Sequence, residues 1–233
     1  MAINAGDTTY YQAKRGIVQD GLVLNLDAAV DASYPGNGTI WYDLEGSNSG
    51  TLTNGPTFDR DNGGSIVFDG TDDIVNGFGT VSSDETTALT ASCWVYDIGG
   101  AHGLGLIGKG NNGGDYDWMM YITTNGTALY FFKKNNSGTA ENFGVNSSVT
   151  TNTWYQFIIV KDGTSIEIFK DGSSIGSSTF SSSEVRNSYN FLINRVWSST
   201  ALDGKIASVQ IYNRALSANE VQQNYNATKG RFE

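Results

Sequence analysis

One cysteine, one histidine and two prolines in 233 residues leave several chemistries without material. Cys93 alone excludes an intrachain disulfide, and with His102 as the single imidazole there is no His/Cys cluster to hold zinc. Basic charge is also scarce. Fourteen Lys and Arg against 24 Asp and Glu give a net charge of -10, which argues against a partner gripped by its phosphates, so no nucleic acid is expected. No apolar run approaches the roughly 18 residues needed to cross a bilayer, so no membrane partner is expected either. Met1 to Asp20 is polar and lacks the apolar stretch of a secretory signal. That and the lone cysteine predict synthesis in a reducing cytoplasm.

What is abundant is glycine, 29 residues, with much Ser, Thr and Asn between short apolar runs. This is the composition of many strands joined by tight turns. Leu22, Leu24 and Leu26 alternate with Val23, Asn25 and Asp27. Thr90 to Tyr96 alternates too, with Ala91, Cys93 and Val95 on one face, so Cys93 reads as a core residue. Asn125-Gly126, Asp162-Gly163 and Asp171-Gly172 punctuate the strands of an antiparallel meander. Lys109 to Asp115 reads as a surface loop. Ser217 and Glu220 form a capping box, which predicts one short helix with Val221 and Tyr225 on one face. The expected fold is all-β: two packed antiparallel sheets, one short C-terminal helix and an N-terminal arm over residues 1–20, held either by a neighbouring subunit or by packing on its own domain, with a single domain over 21–233.

The most informative phrase is Gly64 to Val75, GSIVFDGTDDIV. Ile66 and Phe68 point to a core, Gly70 permits a tight turn, and Asp69, Asp72 and Asp73 crowd three carboxylates into five residues. It reads as a hairpin corner, either solvated or holding a cation.

Other phrases accompany it in order: Gly21 to Ala28, Trp41 to Gly46, Gly50 to Leu52, Leu89 to Val95, Asn152 to Tyr155, Ile168 to Gly172, and Leu202 to Ser217. As an ordered set over about residues 21–228, they resemble the laminin G-like branch of the concanavalin A-like lectin/glucanase superfamily. The resemblance implies a two-sheet jelly-roll sandwich. Such domains occur in secreted adhesins, as appendages of carbohydrate-active enzymes and in structural proteins of tailed bacteriophages, and a short arm plus one such domain looks most like the phage version.

Relatives that hydrolyse glucans carry a Glu-x-Asp-x-x-Glu strand, which puts an acid and a nucleophile on one face. None of the seven Glu here begins that pattern, and His102 has no evident Ser or Cys partner, so no catalytic residue is expected. Two binding sites are candidates. Asp69, Asp72 and Asp73 offer oxygens to calcium, an ion that takes about six to eight of them and that the family often carries near a sandwich rim; the competing reading is a solvated Asx-type turn. Tyr116, Asp117 and Trp118, beside Asn111 and Asn112, offer an aromatic platform with polar donors for a carbohydrate, and Trp197 is a second platform. The competing reading buries Trp118 in the core.

The expected function is therefore a non-catalytic structural protein of a phage virion. It is either a capsid decoration or a tail or fibre appendage, anchored to other virion proteins through residues 1–20, oligomeric or assembled on the particle, and able to touch host-surface glycans. A free-standing carbohydrate-binding module or adhesin is the alternative.

Overall fold

A computed structural model of the chain describes residues 16–79, 81, 85–97, 104–111, 114–123, 126–194 and 201–233. The first half contributes β1 (Leu22–Asp27), β2 (Ile40–Trp41), β3 (Gly50–Thr53), β4 (Thr57–Asp59), β5 (Ser65–Asp69), β6 (Ile74–Asn76), β7 (Ala88–Asp97) and β8 (Leu104–Gly110). The second half contributes β9 (Tyr116–Ile122), β10 (Ala128–Lys134), β11 (Ala140–Asn146), β12 (Trp154–Asp162), β13 (Ser165–Lys170), β14 (Ser173–Thr179), β15 (Phe191–Ile193), β16 (Asp203–Tyr212) and the helix α1 (Ala218–Thr228).

These strands form two antiparallel sheets, the jelly-roll sandwich the sequence predicts. The first runs β14-β13-β12-β7-β16, and β16 then pairs with β5 along its first half and with β1 along its second, with β4 outside β5. The second runs β11-β10-β9-β8-β15-β6-β3-β2. Between them lies the main core, where alternate residues meet from both sides: Ala91, Cys93 and Val95 from β7, Trp118, Met120 and Ile122 from β9, and Ile206, Val209 and Ile211 from β16. Cys93 is fully buried, as its strand face predicts, and burial pushes its thiol pKa up, so it is no nucleophile.

The outer face of the first sheet is covered. The capping box forms as expected: Glu220 N–H donates to Ser217 Oγ, and Ser217 N–H donates to the Glu220 carboxylate. Thus started, α1 lays Val221 against Ile158, Val160, Phe169 and Tyr212. Ile17 and Val18 join this cluster, and Val18 N–H donates to Asn224 Oδ1 (2.8 Å). Residues 16–20, assigned to the arm from sequence, are thus packed on α1, because Ile17 and Val18 have an apolar cluster to enter. Residues 1–15 lie outside the described residues. Beyond α1, Phe232 stacks on Trp94 (4.2 Å between centroids) and meets Trp154 (4.7 Å), while Arg231 pairs with Asp27 (2.8 Å).

Two expectations about strands need correction, and two strands gave no expectation. The Gly64 to Val75 phrase is not a hairpin. β5 belongs to the first sheet and pairs with β16, whereas β6 belongs to the second and pairs with β3 and β15. The turn therefore carries the chain across the sandwich. Gly70 takes a positive φ (74°), and its N–H donates to the Leu202 carbonyl rather than to β6. The Lys109 to Asp115 loop is shorter than expected, since Lys109 and Gly110 close β8. Finally, β8 and β11 are strands whose glycine-rich or polar sequences gave no apolar alternation to read. Among the described residues, no helix is long and apolar enough to cross a membrane.

Candidate functional site

The residues expected to bind carbohydrate separate by depth. Trp118 is fully buried in the main core, against Phe131 and Phe191 (centroids at 6.0 and 5.6 Å). Tyr116 is 1% exposed. Neither ring can present a face to a sugar, so the Tyr116/Trp118 platform is corrected: β9 alternation turns Trp118 inward with Met120 and Ile122. Asn111 is exposed. Asn112, Trp197 and His102 lie outside the described residues.

Asp117 is fully buried too, and its position explains much of the local surface. Oδ1 accepts from Arg186 Nε (2.6 Å), and Oδ2 accepts from the backbone N–H groups of Ser188 (2.6 Å) and Tyr189 (2.8 Å). One carboxylate thus folds the irregular segment 186–189 over the end of β9. Around it sits a polar web. Asp115 takes Arg186 (2.9 Å) and Lys134 (2.5 Å), and the Tyr189 hydroxyl donates to Asp115 Oδ2 (3.0 Å) while Asn111 Nδ2 lies 3.4 Å from that hydroxyl. The Arg186 and Lys134 hydrogen bonds hold the Asp115 carboxyl well below the usual carboxylate range.

The segment so held forms one wall of a cleft of about 520 Å³ on the outer face of the second sheet. Ile74 and Leu192, both buried, lie at its base. Asn76 from β6 and Ser188, Tyr189 and Asn190 from the segment make a polar rim. Further along the same face, Tyr121 of β9 and Tyr130 of β10 are direct cross-strand partners. Their rings are nearly parallel (17°) with centroids 5.3 Å apart. Both are half-buried, and burial raises the Tyr121 hydroxyl pKa. Of these residues the sequence reading found only the Asn111 and Asp117 neighbourhood.

The acidic corner does gather its carboxylates. Oxygens of Asp69, Asp72 and Asp73 lie within 4.8 Å of one another, with Asp69 and Asp72 exposed and Asp73 buried. The carboxylates take part in the turn: Asp73 Oδ2 accepts from Asp69 N–H (3.0 Å) and Asp69 Oδ1 from Thr71 N–H (2.8 Å). Burial, then the neighbouring Asp69 and Asp72 charges, push the Asp73 pKa up despite the hydrogen bond. The set fits a cation that completes its shell with water, and equally a self-capped turn.

Residues 68–222 match the family model of a laminin G group in the concanavalin A-like lectin/glucanases superfamily, and the chain belongs to that superfamily. Among curated proteins no sequence matches it. Solved structures share the fold at low identity. The receptor-binding domain of botulinum neurotoxin type G is 16% identical, with a TM-score of 0.63 over 89% of this chain and 51% of that one. The ligand-binding domain of botulinum neurotoxin serotype D, solved with N-acetylneuraminic acid, is 13% identical, with a TM-score of 0.67 over 89% and 51%. The Trypanosoma rangeli sialidase, solved with the inhibitor DANA, is 17% identical, with a TM-score of 0.65 over 90% and 33%. The chain spans about half the length of these toxin domains and a third of the sialidase.

Proposed function

We propose that the chain is a non-catalytic, lectin-like display domain that holds a glycan in the Asn76–Asn190 cleft, and that it serves as a decoration or appendage protein of a phage virion. The observation that carries the binding reading is the cleft itself, rimmed by the amides and hydroxyls of Asn76, Ser188, Tyr189 and Asn190, whose wall is fixed by the buried Asp117. The non-catalytic reading rests on the carboxylates nearest the cleft. Asp117 is engaged by three donors, and Asp115, held low by Arg186 and Lys134, has no proton to give near neutrality. The solved toxin domain with N-acetylneuraminic acid and the toxin receptor-binding domains lend support by analogy only.

Geometry also favours display. Residues 16–18 pack with α1 on the outer face of the first sheet, and the cleft opens on the outer face of the second. A particle attached through residues 1–15 would therefore sit behind the sandwich, with the cleft turned away. Two experiments test this. A glycan array probed with the wild-type chain and with Asn190→Ala should show binding that the variant loses; an array with no signal above background defeats the lectin reading. Deleting residues 1–15 should leave a folded domain that no longer loads onto particles, and undiminished loading defeats the anchor.

A further inference from the structure

The row of residues that crosses the second sheet at Tyr121 has an unusual make-up. Gly105 of β8 pairs with Tyr121, Tyr121 with Tyr130, and Tyr130 with Gly144 of β11. At Gly144 the glycine is required by contact: a Cβ there would lie 2.3 Å from the Tyr130 ring. The ring thus lies over the backbone of β11 in space that only glycine leaves open. Two parallel rings are laid along a sheet face where small neighbours let them spread. Beside them, Phe132 is half-buried against Met119, and Asn142, the partner of Phe132 on β11, is exposed.

We infer that Tyr121 and Tyr130 form a stacking platform for a neutral hexopyranose chain that extends from the Asn76–Asn190 cleft, an inference that rests on the lectin reading of that cleft. Pyranose rings carry an apolar C–H face that suits an aromatic surface, and their hydroxyls suit a nearby amide such as Asn142. The charge points to a neutral sugar. Among the described residues, the cations at this end of the face, Lys134 and Arg186, are already paired with Asp115 and Asp117, in a chain of net charge -10. Leu192 at the base of the cleft pairs with Gly108, Gly108 with Met119, and Tyr121 follows two residues along β9. That is two strand spacings across and two residues along, roughly 12 Å. An oligosaccharide bridges such a distance and a monosaccharide does not.

Affinity electrophoresis and calorimetry with soluble neutral β-glucan, mannan and galactan, and polysialic acid as anionic probe, test the inference. At least one neutral polymer should bind, more tightly than its monosaccharide. Tyr121→Ala and Tyr130→Ala should each weaken it about tenfold (~1.4 kcal/mol), and Tyr130→Phe should recover most of the loss. Gly144→Val, which displaces the Tyr130 ring while keeping both tyrosines, should weaken it as well. Each variant is first matched to wild type by thermal melting, and if an alanine variant does not fold, Tyr121→Leu and Tyr130→Leu, which keep an apolar side chain but no flat ring, carry the test with the same expected loss. Folded alanine or leucine variants that bind as wild type overturn the platform, and if Asn190→Ala still weakens binding the lectin reading stands. A wild-type chain that binds none of the probes overturns both. Binding of polysialic acid alone overturns the neutral class. A wild-type dimer that Tyr130→Ala dissociates makes the platform a self-association surface and overturns the inference.

Discussion

Replacing Asp117 by alanine should be among the most damaging changes at the surface end of β9. The carboxylate is fully buried and receives the Arg186 guanidinium and two backbone N–H groups. Each hydrogen bond to a charged acceptor contributes about 1.5–3 kcal/mol. The three do not simply add, because Ser188 lies at the surface, where water can replace one bond, and Arg186 keeps Asp115 and the Tyr116 carbonyl. The expected loss is then about 3–4 kcal/mol, within the range for breaking a buried pair. Asp117→Asn keeps an oxygen for the two N–H groups but loses the ion pair, so about 2 kcal/mol is expected. Asp115→Ala is the control. Its carboxylate also pairs with Arg186 and Lys134, but its side chain is 36% exposed, so water screens the pairs and about 1 kcal/mol or less is expected. Guanidinium unfolding followed by tryptophan fluorescence measures all three as a shift of midpoint at constant slope. If Asp117→Ala costs no more than Asp115→Ala, the argument that Asp117 organises the cleft wall is wrong.

Trp118→Ala should cost about 3–5 kcal/mol as a core cavity, and a folded Trp118→Phe should bind glycan as wild type does; a selective loss of binding would return Trp118 to the site. Acid should destabilise the helix attachment. Hydrogen bonds from Arg214, then Ser217, draw the Glu220 pKa down to about 2, so its contribution is present above its unfolded value of about 4.3 and is lost as pH falls through the folded one. Glu220→Gln should flatten that part of the Tm profile, and an unchanged profile refutes the assignment. Asp73 has the opposite sign. Burial raises its pKa, so it favours folding below its unfolded value of about 3.9 and loses that contribution as pH rises through the folded value. For the acidic corner, the turn hydrogen bonds predict equal Tm in EDTA and in calcium chloride; a rise with calcium that Asp72→Asn removes would assign the ion to Asp69, Asp72 and Asp73.

Strand alternation and turn dipeptides made most of the fold legible. The β7 pattern around Cys93 and the Asp162-Gly163 turn between β12 and β13 stand as read. The sheet crossing at Gly70 was not legible, because an arch between sheets and a hairpin within one use the same strand–turn–strand phrase; what separates them is the distant Leu202 carbonyl. The site was partly legible. The strand period could have turned Trp118 inward, and counting outward from Asn125-Gly126 pairs Tyr121 with Tyr130. Segment 186–189 gave no signal at all, since its shape comes from Asp117 some seventy residues earlier.

The two outer faces of the sandwich solve the same problem differently, and the difference bears on the proposed function. A face carrying Ile158, Val160, Phe169 and Trp94 must be covered, and the first sheet is covered by α1, Ile17, Val18 and Phe232. The second sheet also carries apolar residues outward, at Ile74, Tyr116, Met119 and Leu192, and among the described residues their cover is made by side chains from the same sheet, Tyr121 and Phe132, and by the segment tied to Asp117. The helix covers Ile158 and Phe169 and leaves a cleft of about 570 Å³ beside its start, lined by Val160, Glu167 and Ser217. On the second face a layer of half-buried aromatic rings and amides excludes enough water to satisfy the fold, and it is this layer that the proposed reading assigns to a neutral glycan. In the proposed reading attachment through residues 1–15 and recognition in the cleft fall on opposite faces, so a substitution on one should leave the other intact.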